Sequence, residues 1–170
     1  HPSIRLKKRP IRSCITVSVF QGYFVFLVTY RAIHDIPISI LATSMIQIPA
    51  LLTTMMLMSA YPITQVYQHE EDRERGDFTL SLSLGILGTF HFTSFAFVMT
   101  TLCYAGYFYY YQNLQILLLY LILMIPILIY YLSWYQEVRK NIDLADFENT
   151  MKLNRLSAFC LNTFFLLLII

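Results

Sequence analysis

Charge is what this chain has least of. Only 13% of its 170 residues are Asp, Glu, Lys or Arg, while 57% are hydrophobic and 16% aromatic. Soluble domains carry roughly 25% charged residues, about twice this share. So little charge cannot coat a globule of this size, which excludes an ordinary soluble domain and a disordered chain. The net charge is +2, too small for a nucleic-acid partner. Cysteine is scarce as well. Cys14, Cys103 and Cys160 form no metal-type cluster and no disulfide framework, and each lies in an apolar stretch. They read as small buried hydrophobes.

Long apolar runs are what the chain does have. A membrane-crossing helix needs about 20 mostly apolar residues, and five stretches are candidates: 14–30, 37–67, 80–108, 116–134 and 156–170, the last only just long enough. The fold class expected is an all-α integral membrane bundle of about five transmembrane helices, one membrane domain over 1–170. The opening on His1, directly into a basic stretch, reads as the C-terminal part of a longer chain. Pro49, Pro62 and Pro126 fall inside spans, so bent, closely packed helices are expected, because each proline removes a backbone donor. Gly85-x-x-Gly88 reads as a close-packing pair. The mixed stretch 138–155 reads as an interfacial helix lying on the membrane surface.

The polar residues between the runs give the orientation. Segments 1–13, 68–79 and 136–155 lie on one side of a five-span chain and hold eleven of the twelve basic residues, Arg31 excepted. Basic residues concentrate on the cytoplasmic side, so a multi-pass protein with loop 68–79 in the cytoplasm is expected. Tyr107, Tyr109, Tyr110, Tyr111, Trp134 and Tyr135 stand at the expected span ends, the headgroup level that such rings prefer.

Chemistry concentrates in two places on that side. The first is Gln68-His69-Glu70-Glu71-Asp72-Arg73-Glu74-Arg75-Gly76-Asp77. If the preceding span continues helically, Gln68, Glu71 and Asp72 share a face. Convergent carboxylates repel unless a cation sits among them, and oxygen donors with substrate phosphates suit Mg²⁺. Gly76 then ends the helix, as a glycine past a C-terminus does. The second is the basic stretch Pro2-Ser3-Ile4-Arg5-Leu6-Lys7-Lys8-Arg9-Pro10, either a cytoplasmic anchor or a clamp for a departing phosphate. The Arg75-Gly76-Asp77 tripeptide lies in the same loop and reads as chance. His91, alone within a span, reads as a bonded neutral histidine, and a transport pathway has little else to draw on.

These residues resemble a known family. Asp72-Arg73-x-x-Gly76-x-x-Thr79-Leu80-x-x-x-Leu84-Gly85 is similar to the second aspartate-rich motif of the UbiA superfamily of intramembrane prenyltransferases, D-x-E-x-D-x-x-x-G-x-x-T-L followed by L-G. Residues 3–8 resemble the Y-S-x-P-x-x-R-L-K element upstream of that family's fifth helix. The resemblance implies a partial UbiA-like fold, the last five of nine helices. It implies Mg²⁺-dependent transfer of an isoprenoid chain from a prenyl diphosphate to a small, aromatic or related acceptor within the lipid bilayer. Carried onto this chain, Gln68, Glu70, Glu71 and Asp72 hold the metal, with Asp72 and Glu70 catalytic. Arg5, Lys7, Lys8 and Arg73 bind the diphosphate, and Tyr67 contacts substrate. Two departures stand out. Gln68 occupies the motif's leading aspartate position, and the family's first motif, N-D-x-x-D, is absent from these 170 residues. The alternative is a catalytically inactive relative that binds lipid or acts as a scaffold.

Overall fold

The structure is a computed structural model describing residues 9–168. Among them every element is helical and there is no strand. Five rods follow in order: α1 (Pro10–His34), α2 (Ser44–Glu74), α3 (Leu80–Tyr111), α4 (Leu114–Lys140) and α5 (Phe147–Leu167). The first four are long and apolar enough to cross a membrane, at 25, 31, 32 and 27 residues. At 1.5 Å per residue, even the shortest exceeds the roughly 30 Å hydrocarbon core. The molecule is an all-α membrane protein.

The fifth expected span does not reach this standard among the described residues. Glu148, Lys152 and Arg155 lie on the same continuous helix as the apolar end of α5. The expected interfacial helix over 138–155 is divided instead. Val138 finishes α4, a short 3₁₀ turn covers Ile142–Leu144, and Phe147 opens α5. Two asparagine and aspartate caps explain the break. Asn141 Oδ1 accepts from the Asp143 amide at 3.1 Å, and Asp146 Oδ1 accepts from the Asn149 amide at 2.8 Å. Such side chains compete with the helical ladder and favour its ends.

The described residues form two compact units, divided within α3 between Thr100 and Thr101. In the first unit α1 packs against α2 around Gly22. A Cβ at Gly22 would stand 2.7 Å from Thr54 Cα, so only glycine permits this approach. Gly22 lies in a π-helical turn, Val19–Phe24, and the next residue, Tyr23, donates its hydroxyl hydrogen to Gln47 Oε1. Gln47 Nε2 donates in turn to Leu41 O at 2.6 Å. α1 ends at Asp35, whose left-handed conformation (φ 46°) reverses the chain. Within α2, Pro49 sits inside the helix, and Pro62 begins the 3₁₀ stretch Pro62–Gln68. α3 is tied to α2 by Thr100 Oγ1, which donates to Met55 O at 3.3 Å.

In the second unit α4 packs on α5. Phe164 stands edge-on to Phe108 and Tyr120, with ring centroids 5.4 and 5.5 Å away, a preferred aromatic geometry. At the other end Trp134 is buried, and its Nε1 donates to Leu144 O at 2.7 Å. The Tyr130 hydroxyl donates to Asn149 Oδ1 at 3.0 Å. Cys14 and Cys160 are buried and Cys103 is half-buried, and all three are free thiols.

Candidate functional site

The candidate site is the turn from α2 into α3, built from three local devices. First, Pro62 cannot donate to the helix ladder. The chain tightens into a 3₁₀ stretch before resuming α-helix at His69–Glu74. The acidic residues therefore continue the span beyond its expected end at 67. Second, the helix closes on Gly76, at φ 64°. Gly76 N donates to Arg73 O at 3.1 Å, and Asp77 N donates to Asp72 O at 2.9 Å. This is the Schellman pair of bonds that satisfies a helix's last carbonyls. Third, Thr79 caps α3: its Oγ1 accepts from the Leu82 amide at 3.2 Å, as an N-cap hydroxyl does.

Thr79 also joins the two helices. Its hydroxyl donates to Asp72 Oδ2 at 3.1 Å. Both residues are buried, Asp72 at 6% and Thr79 at 8% exposure. A buried carboxylate without a partner would be costly, so this bond fixes the turn. The D-x-x-x-G-x-x-T spacing has a local explanation: carboxylate, helix-ending glycine, and a capping threonine that reaches back.

The other expected ligands point elsewhere. Glu70 is exposed. Glu71 is exposed and bonded to Arg75 one turn on. Gln68 Nε2 donates to the half-buried Tyr67 hydroxyl at 2.7 Å. Arg73 is exposed. The turn thus brings Gln68 to Tyr67 and Asp72 to Thr79, and leaves Glu70, Glu71 and Arg73 outward. Among the described residues no three His, Cys, Asp or Glu side chains gather into a metal-holding group. Arg5, Lys7 and Lys8 lie outside the described residues.

Two polar residues that sequence reasoning passed over, Ser81 and Thr89, join the buried His69 of the acidic stretch. His69 Nε2 is 2.7 Å from Ser81 Oγ, and Ser81 Oγ is 3.0 Å from Thr89 Oγ1. Thr89 Oγ1 donates to Gly85 O at 2.7 Å. His69, Ser81, Thr89 and the nearby Asp77 are all buried. The one sequence signal was that His69 precedes Asp72 by three residues, and so shares its helix face. Gly85 takes a different role from the expected close-packing one. It has φ 71° and ψ 173°, which breaks α3 into two helical pieces, and open space surrounds the position of a Cβ. One turn upstream in α2, the buried Gln65 Oε1 has no hydrogen-bond partner. His91, the span histidine, lies on an exposed face of α3.

The donor set at 68–72 consists of one amide oxygen and three carboxylates, hard oxygen donors of the kind Mg²⁺ takes. No family model, curated protein or solved structure matches the chain.

Proposed function

We propose that this protein is a membrane prenyltransferase of the UbiA type, with the α2–α3 turn as its diphosphate end. The observation that carries the reading is the turn itself. Asp72, Gly76 and Thr79 are the residues of the resemblance, and they are bound into one unit by the Asp72–Thr79 bond and the glycine closure. A six-residue helix with acids at Glu70, Glu71 and Asp72 stands at the end of an apolar span. The substrate has the matching division, an apolar isoprenoid tail and a charged diphosphate head. The loop 68–79 faces the cytoplasm on this reading, on the strength of the basic residues in the segments that share its side.

Gln68, Glu70, Glu71 and Asp72 would hold Mg²⁺. The ion, when bound, neutralises charge on the diphosphate and eases its departure. Arg73, with Arg5, Lys7 and Lys8, attracts the same anion. The bond that breaks joins the allylic carbon to the diphosphate oxygen. The resulting allylic cation is attacked by the acceptor, which loses a proton as the new bond forms. The apolar helices shelter the tail and keep water from the cation, and Tyr67 borders the substrate.

A second reading keeps the fold without the reaction. It is favoured by Gln68 at the leading acidic position and by the outward turn of Glu70 and Glu71. On that reading the protein binds lipid, and removing metal has no effect.

Turnover separates the two. Membranes carrying the full reading frame are incubated with a panel of prenyl diphosphates, hydroxybenzoate and naphthoate acceptors, and Mg²⁺. The transferase reading predicts prenylated product and released pyrophosphate. Asp72→Asn should lower turnover on the order of a hundredfold, the effect of removing one electrostatic group at a reacting centre. Undiminished turnover in Asp72→Asn would remove Asp72 from the site. No product across the panel would favour the lipid binder.

A further inference from the structure

A second polar feature, in the other unit and independent of the transferase reading, stands at the end of α4. The apolar run of α4 ends at Trp134 and Tyr135, rings that favour the headgroup level of a bilayer. The next turn carries Gln136, Arg139 and Lys140, spaced i, i+3 and i+4 and so on one face. These three residues line a shallow open pocket. The Arg139 guanidinium lies over the Tyr135 ring, 5.9 Å from its centroid. That contact holds the guanidinium along the helix and leaves N–H edges free to donate. Neither Arg139 nor Lys140 is in an ion pair with a carboxylate among the described residues. By contrast, Lys152 on α5 is bound to Glu148 at 2.9 Å, and the hydrogen bond and charge of Glu148 push its pKa up.

We infer that Gln136, Arg139 and Lys140 form a binding site for the phosphate of an anionic phospholipid headgroup. A phosphate accepts hydrogen bonds in the plane of a guanidinium and takes a point charge from an ammonium. The helix C-terminus opposes an anion with about half a negative charge, and two full cations outweigh it. A free phosphate offers the same chemistry. The lipid is the occupant because the pocket lies directly beyond the aromatic residues that end the span. Each cation near a membrane surface contributes about 1 kcal/mol toward anionic lipid, close to fivefold in binding.

The test is native mass spectrometry of the protein released from nanodiscs of phosphatidylcholine and phosphatidylglycerol in equal parts. The wild type should retain phosphatidylglycerol in preference to phosphatidylcholine. The R139Q/K140Q variant should lose that preference by about fivefold for each cation removed. Both positions are exposed, so the variant should keep the wild-type helical circular dichroism. Lys152→Gln, which removes a cation already paired, should retain phosphatidylglycerol as the wild type does. Equal retention of the two lipids by the wild type would overturn the site. So would unchanged retention by R139Q/K140Q, or an equal loss in Lys152→Gln. Displacement of the lipid by inorganic phosphate would assign the pocket to a soluble anion and overturn the lipid.

Discussion

Thr79 serves two helices at once. Its oxygen accepts from Leu82 N at the start of α3, and its hydroxyl hydrogen goes to the Asp72 carboxylate at the end of α2. Thr79→Val keeps the shape and removes both bonds, leaving a buried acceptor unsatisfied at about 1–3 kcal/mol. Thr79→Ser should recover most of that loss, and thermal unfolding in detergent micelles measures both. Gly22 makes the opposite demand, for space. Because a Cβ there meets Thr54 Cα, which is backbone, Gly22→Ala should cost about 1–3 kcal/mol by overpacking. Thr54→Ser should not rescue it. The glycine at 76 was legible in the sequence because a helix-ending glycine has a fixed place after a helical acidic stretch. The His69–Ser81 bond was not. Its partners are twelve residues apart and meet only once the turn is built. Gly85 was misjudged for a related reason. A glycine five residues into an apolar run is as compatible with close packing as with a left-handed break, and only the backbone angle distinguishes them.

The helices show where local chemistry overrode the apolar pattern. Hydropathy sees 37–67 as one run, yet the regular helix begins at Ser44 and continues to Glu74 through the 3₁₀ stretch at Pro62. The acids were left out of the span by their polarity but belong to it by their backbone. At 138–155 the pattern looked helical throughout, and the Asn141 and Asp146 caps cut it. Asp146→Ala should therefore loosen the first turn of α5 at a cost of about 1 kcal/mol. Faster hydrogen exchange at the Asn149 and Thr150 amides, whose acceptors are both on Asp146, would report it. Gly85→Ala forces a left-handed angle on a residue with a side chain, at roughly 1–3 kcal/mol. The variant should either straighten α3 or melt early. A melting curve identical to wild type would show that the break does not need glycine.

The whole molecule follows from its scarcity of charge. Four helices of 25 to 32 residues leave many large apolar side chains exposed. Phe20, Phe95, Leu102, Ile122 and Ile129 are all exposed, an arrangement that only a lipid surroundings tolerates on this extent. That much was readable from composition alone. The candidate site was half readable, since its backbone frame follows from turn chemistry but the directions of Glu70, Glu71 and Gln68 depend on which partner each side chain finds. The transferase reading requires those side chains to serve one ligand together. The most direct measurement is a calorimetric titration of the purified protein with an unreactive prenyl thiodiphosphate, in Mg²⁺ and again in EDTA. Binding should occur with Mg²⁺, weaken sharply in EDTA, and be lost in Asp72→Asn. Binding of equal strength with and without metal would contradict the transferase reading and leave a lipid-binding membrane protein.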